Sequence, residues 1–315
     1  MLHQSVEELI GNTPTVDISG LSPNPDVRVV IKLEGQNPGG SVKDRIALAM
    51  IDAAERDGRL KPGGTILEPS SGNTGIALAM IARTRGYLLK VVLPENVTPE
   101  RRQLLEAFGA EIISSPAAEG SNGAVTRARA IAADDDGVVF LYQYANDANP
   151  MAHYTGTGPE LLRDVPDITH FVAGLGTSGT LMGVGTFLKE QGSSVELWAV
   201  EPPAGEMVDG LRNIEDGFVP PIFDSWRGEE LLDRRIIVRP RESIVATRRL
   251  ADEAGIFAGI SAGAAFAGAL KVASSIEAGV VAFVAADGGW KYLSTGAWTD
   301  SLDEVEERAS KTIYF

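Results

Sequence analysis

The 315-residue chain has no cysteine, only three histidines, and a deficit of basic residues, with 28 Lys and Arg against 43 Asp and Glu. Without cysteine there is neither a disulfide framework nor a thiolate metal site. His3, His153 and His170 stand singly, so a histidine-rich metal centre is not expected. Asp134-Asp135-Asp136-Gly137 lacks the alternating ligands and closing Glu of a calcium loop and reads as an acidic surface turn. The formal net charge of −15 argues against nucleic acid as a partner and leaves any anionic ligand dependent on a local positive site. No apolar run approaches the ~20 residues of a membrane span. The N-terminus, Met1-Leu2-His3-Gln4-Ser5-Val6-Glu7-Glu8, shows no basic stretch followed by an apolar one, so no secretory signal is expected. Together these absences point to a reducing, cytoplasmic setting and a small-molecule substrate.

What is present is the composition of an α/β protein, 44% hydrophobic with 35 glycines and 17 prolines. The length predicts two domains. From residue 65 strands and helices alternate. Strands are expected at 65–68, 88–93, 111–114 and 138–141, with helices at 75–85, 98–108 and 122–133. The pattern restarts with strands at 168–173, 195–200 and 280–286 and helices at 180–189, 242–254 and 263–276. Such alternation implies right-handed βαβ units in parallel sheets. The stretch 143–160 reads as an irregular junction, and 202–233 as a long cover loop.

Chemistry concentrates where strands give way to helices. In Asn37-Pro38-Gly39-Gly40-Ser41-Val42-Lys43-Asp44-Arg45, a Gly-Gly turn precedes apolar residues at helical spacing. Ser41 and Asp44 read as a capping box, which places Lys43 in the first turn. There the helix dipole favours a neutral amine, the form a carbonyl-attacking lysine needs. Ser70-Ser71-Gly72-Asn73-Thr74-Gly75 offers hydroxyls, an amide and free N–H groups suited to a carboxylate. Gly174-Leu175-Gly176-Thr177-Ser178-Gly179-Thr180 can wrap a phosphate without a cationic side chain. It also matches G-x-G-x-x-G, with Glu201 after the next strand, so a nicotinamide-dependent oxidoreductase competes at this point. Gly259-Ile260-Ser261-Ala262-Gly263 opens another helix and, taken alone, reads as a serine cap.

In order and over the whole chain, these segments resemble the cysteine synthase family of pyridoxal-phosphate enzymes. Gly11-Asn12-Thr13-Pro14, the run 37–45, Glu68-Pro69-Ser70-Ser71-Gly72-Asn73-Thr74-Gly75 and Thr157-Gly158-Pro159-Glu160 stand where that family has its motifs. Thr15 replaces a usual Leu, and Ser70 a usual Thr. The resemblance implies the fold-type II architecture: two three-layer α/β/α domains with mainly parallel twisted sheets and the active site between them. It implies a smaller domain at 40–148 and a larger one from 1–39 plus 149–315. It assigns Lys43 as the lysine that holds the cofactor and then removes the substrate α-proton. Asn73 would meet the cofactor 3′-oxygen, Gly176, Thr177, Ser178, Gly179 and Thr180 its phosphate, and Ser261 its pyridine nitrogen. Ser70, Ser71, Thr74 and Gln143 would bind the substrate carboxylate. A neutral hydroxyl at the pyridine favours β-elimination over transamination.

Within the family, the segment 210–220 resembles the actinobacterial branch that uses O-phosphoserine, with arginine at Arg212 where acetylserine users commonly carry glutamine. The segments Tyr142-Gln143-Tyr144, Leu181-Met182-Gly183 and 289–296 point the same way. An arginine fork suits a phosphate dianion. The branch able to use thiosulfate also has arginine near here, and simply ordering the 202–233 cover is the alternative role for Arg212. That branch takes sulfur from a thiocarboxylated carrier protein, and its C-terminal tail folds over the site. The end Thr312-Ile313-Tyr314-Phe315 does not match that tail. O-acetylserine sulfhydrylation and cystathionine synthesis are the alternatives within the family. The latter is disfavoured by the absence of C-terminal regulatory domains. A non-catalytic binding relative is the alternative of another class. A homodimer is implied, as in relatives.

Overall fold

The computed structural model describes residues 2–70, 72–192 and 194–309. The described residues hold ten strands: β1 (Thr15–Asp17), β2 (Val27–Leu33), β3 (Thr65–Pro69), β4 (Leu88–Pro94), β5 (Glu111–Ser115), β6 (Val138–Phe140), β7 (His170–Gly174), β8 (Glu196–Glu201), β9 (Arg234–Ile237) and β10 (Gly279–Ala285). They form two sheets, β1-β2-β10-β7-β8-β9 and β5-β4-β3-β6. All pairings are parallel except β1 with β2. The protein is therefore α/β with parallel-rich sheets.

The apolar residues of these strands alternate between two cores. Val29, Ile31, Val172 and Phe283 pack with Leu250, Ala265 and Phe266 of the helices Pro240–Ala254 and Ile260–Ser275. Their neighbours Val30, Phe171, Ala173 and Ala282 face the other way, onto Leu181, Met182 and Leu188 of the helix Gly179–Glu190. The smaller sheet does the same. Ile66 and Val91 meet the helices Lys43–Arg56 and Asn73–Arg85, while Leu67 and Val92 meet Ala124 and Ala128 of the helix Gly120–Asp134. Side chains of a strand alternate faces, so two buried faces demand helices on both sides of each sheet. Each sheet is the centre of three layers.

The segment 143–160 departs from expectation. It is largely helical, running through Ala148–Ala152, a π-helical turn at His153–Thr157, and Gly158–Asp164. Asn146 starts the run by accepting the Ala148 N–H at 3.0 Å. The widened turn ends at Thr157, and Pro159 lies in the first turn of the next helix, where its missing N–H costs nothing. Strands β1, β2 and β9 were not expected. The 202–233 stretch does form a largely irregular cover, with short helical turns at Ile214–Asp216, Pro221–Ser225 and Gly228–Leu231.

Candidate active site

Parallel strands send all their C-terminal loops to one edge, and a single pocket collects loops from both sheets. Its lining includes Lys43, Ser70 and 72–74, Gln143, the 176–180 turn, Arg212 and Ser261.

Lys43 is the first residue of its helix, but Ser41 is not the cap expected. Val42 occupies the N-cap position, and Ser41 Oγ accepts the Lys43 N–H at 3.2 Å. Asp44 turns back to the Gly39 N–H at 2.5 Å, so its carboxylate closes the Gly-Gly turn. The Lys43 amine is held below the ordinary lysine range chiefly by burial, against the opposing pull of Asp287, Glu34 and Asp209. Burial thus favours its neutral form.

In the 70–74 loop Ser70 Oγ accepts the N–H groups of Gly72 and Gly75 at 3.3 and 3.0 Å. It therefore braces the helix start while its own hydroxyl hydrogen stays available to a ligand. Thr74 Oγ1 donates to Gln143 Oε1 at 2.7 Å. Ser71 lies outside the described residues, as do the C-terminal residues 312–315. Behind Gln143 sits the fully buried Glu68, whose Oε1 accepts the Gln143 N–H at 3.1 Å. Burial raises the Glu68 carboxyl to about 8, so it is largely protonated at neutral pH.

The 176–180 turn opens the helix Gly179–Glu190, and Ser178 adopts a left-handed backbone at φ 67°. A side chain is a tight fit here. A Cβ on Gly176 would fall 2.5 Å from the Gly210 carbonyl oxygen, and one on Gly179 only 1.9 Å from Asn149 Oδ1. Asn149 Nδ2 donates to the Gln143 carbonyl at 2.9 Å and to Thr177 Oγ1 at 3.0 Å, tying this turn to Gln143. His153 reaches Thr180 Oγ1 through Nε2 at 3.3 Å and Thr157 through Nδ1 at 2.9 Å. Its pKa is well below the usual histidine range because it is buried and sits near Arg45 and Lys43, so the ring is neutral.

Glu201 does not play the part a nicotinamide site would give it. Its Oε2 accepts the Ile214 N–H at 3.2 Å and Oε1 lies 3.7 Å from Arg235, so it anchors the cover loop.

Ser261 lies in the first turn of the helix Ile260–Ser275 and is largely buried. Arg212 donates to the Tyr144 hydroxyl at 3.1 Å and lies over the rings of Tyr144 and Phe218, 5.1 and 4.8 Å from their centroids. Two pocket residues, Arg101 and Asp209, and Asn149 behind the pocket, escaped sequence reasoning. Arg101 pairs with Asp209 at 3.1 Å, both nearly fully buried. A signal existed for Arg101, which stands four residues before Leu105 and so shares its buried helix face.

These residues fit pyridoxal phosphate. A lysine with a depressed pKa shares the pocket with a hydroxyl-bearing turn at a helix N-terminus.

Comparison with known proteins agrees. The family model described as pyridoxal-phosphate dependent enzyme matches residues 6–287. Cysteine synthase B of Salmonella typhimurium is 43% identical, covering 93% of this chain and 96% of that protein. A cysteine synthase of Staphylococcus aureus is 42% identical over 92% of this chain and 96% of its own. Among solved structures, O-ureido-L-serine synthase superposes with a TM-score of 0.88 at 38% identity, covering 95% of this chain and 96% of its own. The O-acetylserine-dependent cystathionine β-synthase of Helicobacter pylori also gives 0.88, at 34% identity over 95% of this chain and 99% of its own. By its fold, its pocket and these relatives, the chain belongs to the cysteine synthase family of pyridoxal-phosphate-dependent enzymes.

Proposed function

We propose that this enzyme makes L-cysteine by β-replacement on O-phosphoserine. The substrate Cβ–O bond breaks with phosphate departing, and a Cβ–S bond forms to a sulfur nucleophile. The observation that carries the choice of substrate is Arg212 in the pocket lining, braced by Tyr144 and Phe218. A braced guanidinium offers a dianion a bidentate partner at reduced entropic cost.

In this reading Ser70, Ser71, Thr74 and Gln143 hold the substrate carboxylate, which would displace the Thr74–Gln143 hydrogen bond. Lys43 removes the α-proton. Gly176 to Thr180 hold the cofactor phosphate, Asn73 its 3′-oxygen, and Ser261 faces its pyridine nitrogen. Bound pyridoxal phosphate supplies the sink for negative charge developing at the α-carbon. The 40–148 unit acts as the smaller, moving domain against 1–39 plus 149–315. The sulfur donor is sulfide, thiosulfate or a thiocarboxylated carrier protein, and the enzyme works as a cytoplasmic homodimer.

O-acetylserine is the second reading, favoured by the Helicobacter pylori relative. That relative is a cystathionine β-synthase and is 99% covered by this chain, so chain length does not separate cystathionine synthesis from cysteine synthesis. The test presents the purified holoenzyme with O-phosphoserine and O-acetylserine separately. Faster change of the cofactor spectrum and faster cysteine formation with O-phosphoserine supports the proposal. Turnover of O-acetylserine alone contradicts it.

A further inference from the structure

Asn73, the first residue of the helix Asn73–Arg85, is gripped at both ends of its amide by a segment more than two hundred residues away. Its Nδ2 donates to Asp287 Oδ2 at 2.8 Å, and its Oδ1 accepts from Lys291 Nζ at 2.7 Å. Tyr292 donates its hydroxyl to the same Asp287 oxygen at 2.5 Å. Lys291 and Tyr292 are fully buried and Asp287 nearly so. Lys291 lies beneath the turn that leads to Lys43, since a Cβ on Gly40 would fall 3.3 Å from its Cε.

A buried ammonium is costly, and a plain packing position would be served better by an apolar side chain. What this pair does is discriminate between the two ends of an amide. The oxygen and nitrogen of asparagine are nearly isosteric and differ only in hydrogen bonding. With a lysine donor on one side and a carboxylate acceptor on the other, the flipped amide would meet two repulsive contacts. One orientation survives. It leaves the second hydrogen of Nδ2 free to point elsewhere, with Asp287 occupying the first. Burial lowers Lys291 to about 8, so it remains mostly an ammonium at neutral pH and keeps its hydrogens for Asn73.

We propose that Lys291 is a positioning residue which, with Asp287, locks the Asn73 amide so that its nitrogen faces the 3′-oxygen of bound pyridoxal phosphate. The inference rests on the reading that Asn73 contacts that oxygen. Lys291 touches neither substrate nor cofactor in this account and acts only through Asn73.

The test is a double-mutant cycle on holoenzyme, read as the dissociation constant for pyridoxal phosphate by equilibrium dialysis, with the visible band of the bound cofactor as a second readout. Lys291→Met is expected to weaken retention roughly 5- to 30-fold, the effect of one lost hydrogen bond. It should also shift the band. Lys291→Arg, which still donates, should stay near wild type. In an Asn73→Ala background Lys291→Met should cost nothing further. Retention and spectrum unchanged in Lys291→Met, with only its melting temperature lowered, would make Lys291 a strut and overturn the inference. Should that variant not fold, Asp287→Ala removes the acceptor that holds the Asn73 amide nitrogen, and wild-type retention there is equally contrary. An Asn73→Ala enzyme that retains cofactor normally would instead overturn the reading of Asn73 on which the inference stands.

Discussion

Arg45 donates from both terminal nitrogens to the two carboxylate oxygens of Glu160, at 2.8 and 2.7 Å, across 115 positions of chain. Its Nε and one terminal nitrogen also reach Glu34, at 2.7 and 2.9 Å. Lys32 lies 3.0 Å from Glu160, Thr13 donates to Glu34 at 2.6 Å, and the Asn12 N–H reaches Glu160 at 2.9 Å. Two cations and two carboxylates thus balance within one largely buried cluster. It joins the Gly11-Asn12-Thr13-Pro14 turn, the helix that carries Lys43, and the helix Gly158–Asp164. Three of the four sequence motifs are one physical object. Burial pushes Glu160 up, but Arg45 and its other partners prevail and hold it at about 2.

Removing the guanidinium should therefore be severe. Arg45→Met leaves Glu34 and Glu160 buried with insufficient positive charge, a loss on the order of 3–5 kcal/mol. Arg45→Lys should recover only part, because a point charge cannot serve both carboxylates bidentately. Urea denaturation of the holoenzyme measures this. A loss below ~1 kcal/mol in Arg45→Met would show that the cluster is not what secures the Lys43 helix.

Glu68 titrates in the opposite sense. Its folded pKa of about 8 lies above the ordinary 4.5, so its contribution to stability is present below about 4.5 and lost as pH rises towards 8. Glu68→Gln keeps the shape of the neutral acid and cannot ionise. The variant should gain in melting temperature relative to wild type as pH rises from 5 to 8. A difference that does not vary with pH would mean that Glu68 is not protonated in the fold.

Much of this was legible in advance, for identifiable reasons. The strands and helices between 65 and 140 follow local signals. Gly86 stops its helix at φ 75°, and Pro99 opens the next. The loops at strand ends announced themselves by glycine and hydroxyl content. What local pattern could not supply was the partner of a buried charge. Arg101 reads as one more surface cation until Asp209, 108 positions away, is beside it. Lys291 was noted only as part of a resembling segment, and nothing in its neighbourhood points to Asn73. The helical run through 153–157 was missed because Asn, Gly, Pro and Thr disfavour helices locally, whereas packing against the helix Gly179–Glu190 decides the matter. A Cβ on Gly158 would fall 2.8 Å from the Phe187 ring.

Gly259, not Ser261, holds the N-cap of its helix, so the serine-cap reading fails and the cofactor role of Ser261 can be tested by itself. If its hydroxyl faces the pyridine nitrogen, Ser261→Asp places a carboxylate there and favours the protonated ring. Cysteine formation should slow, side reactions should take a larger share, and the visible spectrum should change. Unchanged turnover and an unchanged spectrum would reduce Ser261 to its place in the first turn of the helix.

Substrate choice rests on Arg212, and one ratio tests it most directly: kcat/KM for O-phosphoserine over that for O-acetylserine, in wild type and Arg212→Ala. Losing a charge-assisted bidentate contact is worth on the order of 1.5–3 kcal/mol, or roughly 10- to 150-fold. The ratio should fall by that factor, with O-acetylserine nearly unaffected because it has no phosphate to bind. Arg212→Lys should recover it only in part. Equal losses for both substrates would assign Arg212 to ordering the 202–233 cover and contradict the phosphoserine account.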